Sequence, residues 1–390
     1  MDIGIIGLGG AGRAHVRRFR RNPAVRRIVG YDIRQGAVEV AGCQVASSLE
    51  ELFSQVDAVS ICTPDHLHLE GIIAALEANR HVLVEKPMVA SYADAQKLER
   101  VLRAHPDLVF AVHHQMRHAP AFEHASELLV SGALGRPYYI EANYWHDMTM
   151  RSTMFDDWRM KHGQSLIFGH ACHPLDLIMH LAGDAPLSHS THLSKVGFDD
   201  YAAEYTSATT LMTFAGGLVA KCHVNSCSVY PQYNDLIVLG DKGSYVDGVL
   251  YKEGRFRREA GFFRAGQPDV GLNIVSMRMP PALLSLAFNI YLRSISLAYR
   301  MFFGVMNVVA KRLMSHPDFG FRRYPMTAYN HDGACQTMID NFVDAVLGKA
   351  SVLVGFADAA RVIRLCEEIE RDGLSRFPTD HATGLRSTQR

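Results

Sequence analysis

Close to the amino terminus, Gly7-Leu8-Gly9-Gly10-Ala11-Gly12 follows the apolar segment Ile3 to Ile6. Glycines at that spacing let a chain turn sharply, bring its backbone against a pyrophosphate and pack the next helix closely on the strand. A helix starting near residue 11 would aim its amide dipoles at the same phosphates. Glycine-rich turns are common, so the context has to carry the reading. Twenty residues after Gly12, at the end of a second apolar segment, stands Asp32. It is placed to accept hydrogen bonds from both hydroxyls of an adenosine ribose. A carboxylate there repels a 2′-phosphate and favours NAD, while the nearby Arg34 leaves NADP open. The plainer alternative for Asp32 is a turn carboxylate without a ligand.

Two other places carry reactive side chains. Lys86 stands between Glu85 and Pro87, directly after the apolar run Val82 to Val84. An ammonium fixed at a strand end can reach a substrate oxygen as cation or donor; a surface lysine is the bland alternative. Farther along, His173 and Asp176 are three residues apart, on one face if the segment is helical. An imidazole titrates near neutrality and suits general acid–base work. His170 and His180 extend that set toward a metal site. Three ligands from one helix seldom close a tetrahedral shell, and no cysteine pair accompanies them, so no metal is expected.

The elements needed to position these groups alternate as a doubly wound sheet requires. Strands are expected at Val56 to Cys62, His81 to Val84 and Leu108 to Val112, with helices at Glu70 to Ala78 and Tyr92 to Ala104. Right-handed crossovers then bring the glycine turn, Thr63-Pro64 and Glu85-Lys86-Pro87 to one edge of the sheet.

The chain resembles the glucose–fructose oxidoreductase / inositol dehydrogenase (Gfo/Idh/MocA) family. The matching residues are Gly7-x-Gly9-x-x-Gly12, Thr63-Pro64-x-x-x-His68, His81-Val82-Leu83-Val84-Glu85-Lys86-Pro87 and Gln115 to Phe122. Gly135-Arg136-Pro137, Trp158-Arg159 and Cys172-His173-x-x-Asp176 also match. The likeness covers residues 1 to about 245 and resumes near Asn341. It implies a catalytic lysine at Lys86 and a second catalytic element at His173 and Asp176. The cofactor would lie among Gly7, Leu8, Gly9, Gly10, Ala11, Gly12, Asp32, Thr63, Pro64, His68, Glu85, Lys86 and His114. For His114 a core histidine is nearly as good a reading. Many members carry aspartate four residues before the histidine; here that position is Gly169, with His170 as the candidate replacement.

The chain has 390 residues, 48% apolar and 21% charged, with forty basic residues balancing forty acidic ones. That argues against a nucleic-acid binder. No uncharged apolar stretch reaches the ~18 residues of a membrane span. No secretory leader is evident, and seven cysteines without a Cys-x-x-Cys pair read as reduced thiols, so a cytoplasmic location is expected. The cluster Arg17-Arg18-Phe19-Arg20-Arg21 reads as a solvated helix end.

The expected fold is α/β. An N-terminal Rossmann domain with a doubly wound parallel sheet covers 1–120, and a C-terminal α+β substrate and oligomerisation domain on a largely antiparallel open sheet covers 121–390. Within the latter, about 250–330 is an insertion with twelve Lys or Arg against four Asp or Glu. Polar or small residues from Ser285 to Ser315 recur roughly every 3.75 positions, an otherwise apolar helical pattern ~50 Å long if unbroken. Three burials are open: contact of 278–317 with an anionic membrane at the inner face, a dimer interface, or two shorter helices packed around Gly304.

The resemblance implies an NAD-dependent dehydrogenase or reductase for a sugar-like alcohol: a sugar, polyol, sugar nucleotide or glycoconjugate. It also implies a homo-oligomer formed through the C-terminal sheet. An enzyme that retains NAD for elimination or glycoside cleavage is the alternative, and a non-catalytic sensor is disfavoured by the presence of Lys86.

Overall fold

The structure, a computed structural model, describes residues 1–34, 43–148, 165–195, 204–228, 233–246, 248–252, 261–262, 270–271 and 331–377. Strands β1 (Asp2–Ile6), β2 (Arg27–Tyr31), β3 (Gln44–Val45), β4 (Ala58–Ile61), β5 (His81–Val84) and β6 (Phe110–Val112) form one parallel sheet, ordered β3-β2-β1-β4-β5-β6. The order reverses between β1 and β4, so the crevice of this fold opens at the carboxyl ends of those strands. Both faces are buried, which is why the strands read as continuous apolar runs. On one face Ile3, Ile5 and Leu83 pack under α1 (Gly10–Phe19) through Val16 and Phe19. The other face is covered by α2 (Leu49–Gln55), α3 (His68–Glu77) and α4 (Tyr92–Ala104). Ser48 and Ser91 start α2 and α4 by accepting from Glu51 N and Asp94 N, each satisfying an amide that the first helical turn leaves unpaired.

The second sheet is mixed. Its strands β7 (Pro137–Trp145), β8 (Ser188–Ser194), β9 (Ser207–Thr213), β10 (Val219–Asn225), β11 (Tyr233–Gly240), β12 (Gly243–Val246) and β13 (Val249–Lys252) lie in the order β13-β12-β11-β7-β10-β9-β8. Only β7 and β10 run parallel; every other pair is antiparallel. Ile140, Ala142, Tyr144, Ala220, Cys222 and Val224 point to the inner face. That face packs on α6 (Cys172–Ala182), which a left-handed Gly183 ends, and on α8 (Phe356–Arg376). Helix α5 (Pro120–Val130) links the two sheets.

Helix α7 (His331–Val346) returns to the first sheet, where Ile339, Phe342 and Val343 complete the cluster beneath α1. This corrects the reading of Arg17 to Arg21 as a wholly solvated end. Arg18 is buried and bonds Asp332 at 3.0 Å, Arg21 bonds the same carboxylate at 2.8 Å, and Asn22 reaches Asp340 at 2.8 Å. All seven cysteines are unpaired. No helix among the described residues is long and apolar enough to cross a membrane. The segment 278–317, Trp158-Arg159 and the tail beyond Phe377 lie outside the described residues.

Candidate active site

The glycine turn has two kinds of glycine. Gly7 takes a left-handed φ of +91°, and a Cβ there would sit 2.9 Å from the Cys62 carbonyl. At Gly12 a Cβ would meet the Gly7 carbonyl oxygen at 1.9 Å, so these two let helix and strand close together. Gly9 and Gly10 serve something else: a Cβ at Gly10 touches nothing within 4 Å, and at Gly9 only Arg34 Nη2 at 3.9 Å. Space is therefore kept open in front of α1, whose first turn has neither a side-chain cap nor an acidic residue. Uncapped amides and an open approach suit a diphosphate.

Asp32 ends β2, where Leu8 N donates to its Oδ2 at 2.8 Å. Arg34 binds the same carboxylate through its backbone amide at 2.9 Å and its guanidinium at 3.0 Å. Burial would raise the Asp32 pKa, but Arg34 and the two amides hold it below the usual carboxylate range. Thr63 Oγ1 is buried beside the turn and makes no hydrogen bond. These residues fit NAD: an open approach for a diphosphate, a carboxylate at the end of β2 and an unsatisfied hydroxyl.

Two residues expected at the cofactor are turned inward. The ring nitrogens of His68 lie 2.8 and 3.0 Å from the carbonyls of Pro87 and Thr63, so His68 ties the two strand-end loops together. Glu85 gives Oε1 to His15 Nε2 at 2.9 Å and lies 3.4 Å from His113 Nδ1, while Oε2 accepts from the Lys86 amide at 3.2 Å. Both therefore support the loops from behind. Lys86 points the other way and donates through Nζ to the Gly169 carbonyl at 2.9 Å, linking positions 83 residues apart.

Gly169 lies in a π turn, Ile167–Ala171, that runs directly into α6. A side chain is absent at 169, and the main chain supplies the acceptor instead. Beyond it the rings converge. Tyr144 stacks on His173 at 5.7 Å and 17°, His170 meets Tyr144 edge-on at 5.4 Å, and His114 meets His173 edge-on at 6.2 Å. His114 is buried with no hydrogen bond from either ring nitrogen, and burial pushes its pKa down. The structure thus brings His114, Tyr144, His170 and His173 into one ring cluster, with Lys86 tied to the π turn at its edge.

Asp176 lies near enough for its charge to act on His114, but its oxygens are engaged elsewhere. It is fully buried, and both oxygens are held by Arg117, through Nε at 2.7 Å and Nη2 at 2.5 Å. The spacing from His173 correctly implied one helix; Arg117, itself in contact with Asp358 of α8, decided where the carboxylate faces. The rival metal reading also separates: Asp176 is occupied and His180 is exposed, near Ser126. Among the described residues, the one group spaced to hold a metal is His15, Glu85 and His113. Sequence spacing gave no hint of it, because His15 lies in α1 while Glu85 and His113 follow β5 and β6.

Residues 1–114 match the family described as "Oxidoreductase family, NAD-binding Rossmann fold", and residues 122–246 match the "GFO/IDH/MocA C-terminal domain". The chain belongs to the Gfo/Idh/MocA family. Its first 114 residues carry that family's NAD-binding Rossmann domain. It is 29% identical over 266 residues to the UDP-N-acetylglucosamine 3-dehydrogenase of Acidithiobacillus ferrooxidans, covering 67% of this chain and 78% of that one. It is 31% identical over 192 residues to an uncharacterized oxidoreductase of Streptococcus pneumoniae, covering 48% of this chain and 51% of the relative. The chain thus spans about half the length of some curated relatives it matches. Among solved structures, scyllo-inositol dehydrogenase from Lactobacillus casei with bound NAD(H) and scyllo-inositol aligns with a TM-score of 0.67 at 15% identity, over 96% of this chain and 97% of that one. At that identity the likeness speaks for the fold.

Proposed function

We propose that this Gfo/Idh/MocA oxidoreductase transfers hydride between NAD and a sugar-like alcohol or ketone, with Lys86 and His173 as its catalytic residues. The observation that carries the reading is the bond from Lys86 Nζ to the Gly169 carbonyl, which draws the ammonium to the foot of the His173 helix. The glycine turn and Asp32 bind the dinucleotide, with Arg34 as the group that sets the ranking of NAD over NADP. NAD held there would supply the hydride acceptor or donor. In the oxidation direction, Lys86 Nζ turns from the Gly169 carbonyl to the substrate oxygen and stabilises its developing negative charge. His173 takes the hydroxyl proton on its imidazole and returns it in the reduction. Tyr144 fixes the plane of that imidazole by stacking, and His114 and His170 offer donors to neighbouring hydroxyls. Asp176 acts as a clamp between α6 and the Arg117 segment.

Relatives named for UDP-N-acetylglucosamine and 1,5-anhydro-D-fructose support a sugar-like substrate. The division into 1–120 and 121–390 assigns cofactor and substrate to the two sheets. A homo-oligomer would use the outward face of the second sheet, where Leu211 and Val219 are exposed. Lys86→Met tests the catalytic assignment. Turnover with sugar or sugar-nucleotide alcohols should fall by roughly 10² to 10³, as for loss of a donor to developing negative charge, while NADH binding persists. Undiminished turnover would remove Lys86 from the chemistry.

A further inference from the structure

Behind Lys86 lies a trio that no motif announced, two buried histidines and a partly buried carboxylate. His15 projects from α1, Glu85 follows β5 and His113 follows β6, and their ligand atoms all lie within 4.8 Å of one another. The two imidazoles are 4.7 Å apart, centroid to centroid. His15 also bonds Ser60 Oγ at 2.8 Å. Glu85 Oε1 thus bonds His15 at 2.9 Å and lies 3.4 Å from His113 Nδ1, which makes no hydrogen bond, while Oε2 accepts from the amide of the residue assigned to catalysis.

We infer that His15 and His113 are positioning residues for Lys86: by sharing Glu85 Oε1 they keep a partly buried carboxylate ionised, and its second oxygen fixes the lysine's main chain. The inference rests on the dehydrogenase reading for the role of Lys86. A carboxylate taken from water needs a charged partner close by. Burial opposes charging His15, yet Cys62 and Glu85 raise its pKa to about 10. Burial is also the main cause that lowers His113 to about 3. Burial would raise Glu85, but His113 and His15 hold it well below the usual carboxylate range. The geometry agrees: His15 sits at hydrogen-bond distance from Oε1, 2.9 Å, and His113 at 3.4 Å stands as the reserve. The other groups facing the trio are Cys62 after β4, Arg18 of α1, Lys86 itself, His68 of α3, His114 after β6 and Cys335 of α7. None of these supplies a second carboxylate.

The pair is redundant by design, which dictates the experiment. In His15→Gln, His113 is the trio's one imidazole left to carry the proton, so kcat should acquire a titration between roughly pH 5 and 8 that the wild type lacks. In H15Q/H113Q, Glu85 loses both imidazoles and turns to the Lys86 ammonium as its remaining close cation, and kcat should fall about 10²-fold with the NADH Kd within about threefold. Adding Glu85→Gln removes that charge, and the triple variant should regain at least about tenfold, a coupling that independent packing losses would not produce. Labelling of Lys86 by an amine-selective reagent, read by peptide mass spectrometry, needs no substrate. It should change in H15Q/H113Q and revert in the triple variant, even if no tested alcohol is turned over and the dehydrogenase reading itself fails. Should H15Q/H113Q not fold, H15Q and E85Q alone carry the test through the pH profile and the labelling. A flat pH profile in H15Q, a triple variant no better than the double, or Lys86 labelling indifferent to all of them overturns the inference. So does one equivalent of zinc in the wild type that is lost in H113Q, which would make the trio a metal site.

Discussion

Replacing Gly9 by alanine separates the binding of a diphosphate from the folding of the turn that binds it. A Cβ at Gly9 meets no protein atom closer than Arg34 Nη2 at 3.9 Å, an ordinary contact with the end of a mobile side chain. Gly9 is the N-cap of α1, where alanine is a poorer cap than glycine, so the folded state should lose under about 1 kcal/mol. Gly12→Ala is the contrast. Its Cβ would lie 1.9 Å from the Gly7 carbonyl oxygen, where 3.4 Å is ordinary contact, so helix or turn must shift by about 1.5 Å. Overpacking of backbone on backbone belongs at the upper end of its usual range, about 3 kcal/mol. If a pyrophosphate occupies the space in front of Gly9, the new methyl displaces it, and NADH affinity should fall at least about tenfold, or ~1.4 kcal/mol. Thermal unfolding and NADH titration followed by fluorescence separate the two effects. Gly9→Ala should melt close to wild type yet bind poorly, whereas Gly12→Ala should do both badly. A Gly9→Ala protein that binds NADH as tightly as wild type would mean that the cradle faces something else, and the cofactor assignment would fail.

Asp32→Ala should release Arg34 for a 2′-phosphate and move the NADP-to-NAD ratio of kcat/KM upward by at least about tenfold, one well-placed charge pair; an unchanged ratio would show that Arg34 does not read that position. Asp176→Asn breaks a buried bidentate pair and should cost about 3–5 kcal/mol in urea unfolding, while Arg117→Met with Asp176→Leu recovers much of it; a drop in kcat without loss of stability would return Asp176 to the chemistry. The raised pKa of His15 gives an alkaline limb to stability: its contribution is complete below pH 6.5 and is lost as pH rises through about 10. That limb should flatten in His15→Gln when melting temperature is followed from pH 7 to about 10. Stoichiometric release of NADH on adding an alcohol substrate would set aside the alternative of retained NAD and elimination.

Much of the first sheet was legible because buried parallel strands are written as apolar runs, and the turn chemistry between them is local. Tyr92 to Ala104 was read to the residue, since Ser91 caps one end and amphipathic spacing marks the rest. Strand β8 was not seen: Ser188-His-Ser-Thr-His-Leu-Ser is an edge strand with one open face, and it carries no apolar alternation to detect. At the site, sequence could place Lys86 and His173 on their elements, but not the direction in which a neighbouring carboxylate turns. Asp176 answers to Arg117 and Glu85 to His15, partners 59 and 70 residues away. Such choices depend on which cation is nearest once strand ends meet, and spacing along the chain does not encode that. Gly169 was read as a missing side chain, whereas what matters there is a carbonyl made available by the π turn.

The return of α7 to the first sheet bears on synthesis. Ile339, Phe342 and Val343 close the apolar layer under α1, yet they emerge from the ribosome some 230 residues after β6. At 5–20 residues per second that interval is roughly 10 to 50 s. Throughout it Phe19 and its neighbours lack their cover, so the nascent nucleotide-binding half is a natural client for chaperones.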